Sequence, residues 1–439
     1  MRTPGSVLLF TGILFFITAC APVKVTYDPN DLSYIYNPLR NSFNPVFRVF
    51  NESPEKSELA IKFYTNDLFF SEANTEGVSK TSMALAYRLF NMSSGRVAID
   101  TAMFNLVIRE ETGRREYTYT VPLNAPLGYS YEIEVIIRDL IRGTQIQRYI
   151  QFDKRDNLNR NNFKIFGHFD HKEVYTPILR DNEFVNISYK EPSVDSLYVK
   201  YFEPFLDVPA PPYLLIPERE LDMETFRVTT IPQSDTLPIM CPNEGVYNFS
   251  ASENTLTGYT IFNFGEDFPS MRTPLKMIEP LTYLVGDDDL QDMLNHPRPK
   301  VALDEFWVER TGNIEQAREL IRIYYNRVLY SNLYFTSYKE GWRSDRGMIY
   351  VIYGPPDKVY KSMDGERWGY NRPQIKSGWG IRYKVEAELL FFSFRKRENT
   401  FTDNDYSLVR SESLTTFWEQ AVRSWQEGVV FKLDNPGGI

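Results

Sequence analysis

The stretch PLGYSYEIEVII, residues 126–137, alternates after its glycine: Tyr129, Tyr131, Ile133, Val135 and Ile137 point one way, Ser130, Glu132 and Glu134 the other. A period of two with apolar residues on one side predicts a β-strand with one buried and one wet face. Pro126 and Gly128 place a turn directly before it.

Runs of the same kind surround this strand. Leu59 to Tyr64, Met83 to Phe90, Ala102 to Ile108, Tyr117 to Val121 and Gln145 to Phe152 are short, β-prone and separated by turn residues. Such spacing predicts packed antiparallel sheets rather than βαβ units. The Pro126–Tyr129 turn resembles the corner before the penultimate strand of immunoglobulin-like sandwiches, which implies one such module over residues 46–155. The charged, asparagine-rich DKRDNLNRNN, residues 153–162, then marks a boundary. A second β series follows, in which Gly245-Val246-Tyr247 echoes the first corner, and a second sandwich is predicted over 163–275. The proline-rich PFLDVPAPPYLLIP, residues 204–217, interrupts it; it reads as an ordered connecting loop, with a ligand for another domain as the alternative.

Helical periodicity begins only near residue 280. Asn313 to Leu333 carries apolar residues at Ile314, Ala317, Leu320, Ile321, Tyr324, Val328 and Leu329, the stripe of an amphipathic helix. Ser413 to Glu427 repeats the pattern with Leu414, Phe417, Ala421 and Trp425 and stops at Gly428. Pro280 to Leu294 is a further helical stretch, and its acidic Asp287, Asp288 and Asp289 suit a helix N-terminus.

Between these helices lies Gly341-Trp342-Arg343-Ser344-Asp345-Arg346-Gly347, then Met348 to Tyr353, then Gly354-Pro355-Pro356-Asp357. Taken as local chemistry, this is a helix-to-strand connector. Gly341 ends the helical region, Trp342 plugs the core, and Ser344 or Asp345 accepts backbone N–H groups. Gly347 supplies a positive φ before a strand at Met348 to Tyr353. Arg346 needs an anionic partner: Asp345, Asp357 or Glu366 in a structural pair, or else a bound anion or carbohydrate. The segment resembles the GWxTD domain, with Phe306-Trp307, the Arg327 to Asn332 segment and Trp368 in similar places; Ser344 stands where the signature has threonine. The resemblance covers roughly residues 280 to 430. It implies a C-terminal α+β domain, assigned to residues 280–439, in an envelope protein of Bacteroidetes or Acidobacteria type; it carries no catalytic residue with it. With its own helices, strands and aromatic residues, that domain is expected to fold alone.

The N-terminus carries Arg2, the apolar run VLLFTGILFFI at residues 7–17, and Ile17-Thr18-Ala19-Cys20. A positive residue and a short apolar core predict a signal peptide over residues 1–19, and Ile17 to Cys20 resembles the bacterial lipobox. The expectation is cleavage before Cys20 and lipid on that cysteine, and multiple acyl chains anchor stably. Ala21 and Pro22, in place of an inner-membrane retention aspartate, point to the outer membrane, with the protein facing the periplasm. Residues 20–45, rich in Pro, Asn and Asp, are expected to be a tether. If Cys20 is acylated, Cys241 has no partner for a disulfide.

Forty-nine basic against 58 acidic residues give a net charge of −9 without a basic stripe, which excludes nucleic acid as a natural partner. His168, Asp170 and His171 have metal-ligand chemistry, but alternation splits them between two faces, and no metal or cofactor is expected. No nucleophile elbow, phosphate loop, dinucleotide fingerprint or zinc-protease helix occurs. The expected function is non-enzymatic binding or scaffolding of an envelope protein or glycan. The alternative is hydrolysis of envelope polysaccharide by paired carboxylates of the C-terminal domain.

Overall fold

The computed structural model describes residues 31–39, 43–72, 78–95, 97–217, 224, 227–362, 364–378 and 381–431. The expected signal peptide and Cys20 lie outside them. Among the described residues no helix is long and apolar enough to cross a membrane.

Seven strands build the first β unit: β1 (Val46–Asn51), β2 (Lys56–Tyr64), β3 (Lys80–Asn91), β4 (Val97–Arg109), β5 (Glu116–Asn124), β6 (Ser130–Asp139) and β7 (Gln145–Asp153). They pair antiparallel as two sheets, β1-β2-β5 and β4-β3-β6-β7. Leu59 and Ile61 of the first sheet meet Leu85, Leu89, Ile133 and Val135 of the second in one core, all fully buried. Each such side chain contributes about 1.5–3 kcal/mol. Tyr131 donates its hydroxyl to Pro126 O, so the residue that closes the corner is Tyr131 rather than the exposed Tyr129. The face expected to be wet is covered: Glu132 and Glu134 are each 3% exposed. Gln147 N donates to Tyr34 Oη and Lys396 Nζ to Gln151 Oε1, so distant segments lie over β6 and β7.

The second unit comprises β8 (Phe163–Gly167), β9 (Ile178–Leu179), β10 (Phe184–Tyr189), β11 (Ser196–Phe202), β12 (Arg227–Pro232), β13 (Ser234–Met240), β14 (Gly245–Ser250) and β15 (Tyr259–Asn263). Its sheets are β8-β10-β13 and β12-β11-β14-β15, the latter extended by β9 running parallel to β15. With β9 set aside, the connection order equals that of the first unit. In each, the first, second and fifth strands form one sheet and the fourth, third, sixth and seventh the other. Tyr247, on the equivalent sixth strand, turns back to bond both N and O of Asn243. Cys241 is fully buried, and burial pushes its thiol up to about 12.

The C-terminal region contains α1 (Pro274–Ile278), α2 (Asp287–Leu294), α3 (Pro299–Thr311), α4 (Ile314–Phe335), α5 (Asp345–Tyr353) and α6 (Thr415–Gln426). They surround an antiparallel sheet in the order β16 (Lys358–Ser362), β17 (Gly365–Gly378), β18 (Ile381–Lys396), β19 (Tyr406–Leu408). Asn313 caps α4 by accepting Glu315 N, and Ala317, Leu320, Tyr324, Val328 and Phe335 form its buried face. On α6 the buried face is Trp418, Ala421 and Trp425, with Phe417 half-buried at its edge.

The expected strand at Met348 to Tyr353 is helix α5. All residues from Arg346 to Tyr353 are buried. An element packed on every side loses its amphipathic period, so a short continuous apolar run looks the same as a buried strand.

The segment expected to be a tether is packed over residues 32–36, whereas Leu39 is exposed. Leu32, Ile35 and Tyr36 belong to the C-terminal core, beside Phe335, Tyr350 and Trp368. Leu32 N donates to Val359 O, and Asp31 accepts from Val359 N and Lys358 Nζ. Residues 31–36 thus form a strap along β16.

Candidate functional site

Gly341, Trp342 and Arg343 form a single tight helical turn between α4 and α5. Ser344 caps α5: its Oγ accepts from Gly347 N at 3.0 Å and donates to Gly341 O at 2.6 Å. A serine here performs the capping that the threonine of the signature would perform. The glycines are required by close approach. A Cβ on Gly341 would lie 2.0 Å from Ser331 O, and one on Gly347 would lie 1.9 Å from Gly341 O. Gly347 is therefore helical and has no positive φ, contrary to expectation. The α4 backbone, the turn and α5 interlock.

Trp342 is fully buried, with its N–H on Asn332 Oδ1 and its carbonyl accepting from Tyr283 Oη. Asp345 accepts from Leu408 N at 2.8 Å and pairs with Arg410 at 2.6 Å. Arg346, 2% exposed, pairs with Glu366 at 3.2 Å, donates to Asn404 O at 3.0 Å, and lies over the Tyr406 ring. Of the three carboxylates considered for it, Glu366 is the partner. Glu366 in turn accepts from Tyr36 Oη, Trp368 Nε1 and Lys361 Nζ. Burial alone would raise its carboxyl, but Lys361 and Arg346 bring it down to about 2.

Gly354 has φ 83°, and a Cβ there would strike the Arg327 guanidinium, which donates to Val351 O and Ile352 O at the end of α5. Pro355 is exposed and Pro356 buried. Asp357 accepts from Asn371 N and steadies the β16–β17 pair. Gly341 to Gly347 is thus one buried cluster, and Gly354 to Asp357 a separate turn at the far end of α5.

Two outside segments converge on this cluster. Tyr36 of the strap reaches Glu366 and, at 3.5 Å, Arg346. Along the proline-rich connector after β11, Arg343 holds Leu206 O at 2.6 Å and Arg410 holds Ala210 O at 3.2 Å. Sequence reasoning missed Tyr36, Asn404 and Arg410. The aromatic Ser33-Tyr34-Ile35-Tyr36 inside an otherwise polar stretch was the available signal for the first.

A cleft of about 1060 Å³ opens beside the cluster, bounded by both β units and α4. Lys62, Tyr175, Phe184, Thr336 and the motif partners Asn332 and Asn404 line it. Its carboxylates are engaged: Glu116 with Lys62 and Lys172, Glu173 with Arg48, and Asp170 with Lys172 N. His168 also lies here, bonded to Asn186. Among the described residues no three His, Cys, Asp or Glu side chains gather as a metal site.

The family model described as GWxTD domain matches residues 245–427. The match begins at the first residue of β14, upstream of the boundary at 280 read from the sequence. No curated protein matches the chain. Among solved structures, a Bacteroides uniformis β-glucuronidase is 16% identical over 25% of this chain and 13% of its own, with a TM-score of 0.16. Bacteroides uniformis β-glucuronidase 2, covalently bound to cyclophellitol-6-carboxylate aziridine, is 17% identical over 31% and 15%, with a TM-score of 0.17. Likenesses that small carry no argument about fold or activity. The family match is of another kind, because the interlocked turn, the Ser344 cap and α5 all fall inside it: residues 245–427 are a GWxTD domain, and the chain is a GWxTD domain-containing protein.

Proposed function

We propose that this protein is a cell-envelope lipoprotein that works by binding rather than by catalysis. In this reading lipid on Cys20 anchors it, with the outer membrane, periplasmic side, as its place in a bacterium of Bacteroidetes type. The two β units act as immunoglobulin-like sandwiches that space and support the GWxTD domain, which docks an envelope protein or glycan. The shared strand order and the two tyrosine corners support the sandwich assignment.

One observation carries the binding role. The polar side chains of the signature grip other parts of the chain: Arg343 and, through Arg410, Asp345 hold the connector, and Arg346 with Glu366 holds the strap. Groups engaged in this way organise surfaces and are not poised to attack a bond. The alternative, hydrolysis of a polysaccharide, needs a general acid and a second carboxylate free to face substrate. In the cleft, the carboxylates described above come from the two β units and are held by cations or N–H groups. In the C-terminal domain, Asp345 and Glu366 are held by Arg410 and Arg346.

Two measurements test the proposal. Cys20→Ala should abolish lipid labelling and release the protein from the membrane fraction; a label that persists would sink the anchor. A photo-crosslinker in place of Phe169, 79% exposed at the cleft, should capture an envelope component from native membranes. Turnover of purified envelope glycan by the wild-type protein would favour the alternative.

A further inference from the structure

Residues 203–217, the described first part of the connector after β11, cross the GWxTD domain without joining any sheet. Its contacts are of two kinds. Carbonyl oxygens of Leu206, Asp207, Ala210 and Pro212 accept from Arg343, Lys339, Arg410 and Ser411 N. Two rings anchor its ends: Phe205 stands edge-on to Tyr338 at 5.1 Å, and Tyr213 packs on the C-terminal core. After the first anchor the side chains of residues 206–208 face outward, Leu206 at 60% and Val208 at 42% exposure, and Pro212 is buried. Prolines 209, 211 and 212 have no N–H, so this stretch offers acceptors to a surface that presents donors. Recognition of an extended, proline-rich segment through its carbonyls and a few rings is a recurrent peptide-binding mode.

Receptor and ligand come from different parts of the chain. Lys339, Arg343, Arg410 and Ser411 all lie within residues 245–427, whereas residues 204–213 lie outside that match. The fit also leaves donor capacity over, because Arg410 Nε is buried without an acceptor among the described residues.

We propose that the face of the GWxTD domain formed by Tyr338, Lys339, Arg343 and Arg410 is a docking site for extended, proline-rich peptide, filled here in cis by residues 204–213. A partner protein carrying an aromatic-flanked proline-rich segment competes for the same donors. This deepens the docking reading above by naming the ligand class, and it does not depend on the lipid anchor.

The test uses the full chain with Phe205→Ala and Tyr213→Ala, which weaken the cis segment without touching the receptor, and a fluorescent peptide of residues 203–215. Anisotropy should show saturable binding at least about ten-fold tighter than to the wild-type chain, where a tethered segment competes at an effective concentration on the order of millimolar. Adding Arg410→Ala should remove the binding, and a peptide lacking both rings should not bind. If the double variant loses its near-ultraviolet circular dichroism, Tyr213→Ala alone serves in its place. No saturable binding by a natively folded variant, or binding indifferent to Arg410, overturns the proposal. Capture of an envelope partner alongside such a failure would remove this ligand class and leave the docking role standing.

Discussion

The two β units connect seven strands in one order and close two tyrosine corners, yet they meet the rest of the chain differently. The outer face of the first is polar where it is covered: Glu134 accepts from Gln147 Nε2, and Gln151 from Lys396. The outer face of the second is half apolar: at one end of it Lys200 bonds to Ser250 and Asn248 to Thr260, and the other end is a patch of rings and aliphatic side chains. There Val246 and Phe262, with Phe202 and Phe264, pack against Tyr338 and Phe401 from the C-terminal helix-and-sheet region. Every residue of β14 and β15 is buried. One topology thus serves as a neighbour in the first case and as half of a shared core in the second. The family match, which starts at the first residue of β14, includes the β14–β15 side of this shared core.

The strongest way to break this comparison is to cut between the regions. A fragment of residues 280–439 loses both Tyr36 and the Val246–Phe262 face, so it should show no cooperative thermal transition, against the independence expected from its sequence. A fragment of residues 43–155 keeps its whole core and should melt in one step. Cooperative melting of the first fragment would mean that the shared core is dispensable. Single substitutions sharpen the same contrast. Phe262→Ala should lower stability by about 3–5 kcal/mol, as aromatic truncation in a core does, whereas Gln151→Ala removes polar contacts with Lys396 and Glu132 and should cost about 1–2 kcal/mol. Similar shifts of the denaturant midpoint for the two variants would erase the distinction.

Acid gives the next effect. Glu366 is held at about 2 in the fold, below its ordinary 4.5. The unfolded chain therefore takes up the proton first as pH falls, so the stability this group supplies is complete above pH 4.5 and lost as pH falls towards 2. Glu366→Gln should flatten the dependence of stability on pH across that window, and equal slopes in the two proteins would remove Glu366 as its source. The smallest effects belong to the corners. Tyr131→Phe and Tyr247→Phe each delete a hydroxyl bond and should each cost about 0.5–1.5 kcal/mol. Tyr247→Phe should lie at the upper end, because Asn243 N and O both lose a partner.

Alternation exposed the strands of the first unit because its apolar residues serve a single core, and Tyr131, Ile133, Val135 and Ile137 are all inside it. It could not show what covers Glu132 and Glu134, since those neighbours come from elsewhere in the chain. The signature was legible as a unit, and Trp342 and the Ser344 hydroxyl sit where local chemistry put them. Helix α5 was not legible, being apolar all round. Glu366 could be named among three candidates by charge. Asn404 and Arg410, 58 and 65 residues from the motif residues they hold, could not, because no local pattern encodes a contact at that separation.

The bond from Tyr36 to Glu366 joins residues 330 positions apart. Chains emerge from synthesis N-terminus first, at about 5–20 residues per second. The strap is therefore made long before the sheet it lies on, and apart from Tyr34, which meets Gln147 of the first unit, it waits for its native partners while both β units are assembled. Closing so long a loop adds only about 0.6 kcal/mol per doubling of length, so the burden is one of timing. Leu32, Ile35 and Tyr36 remain exposed apolar surface until β17 exists, which makes this stretch a natural client for a chaperone.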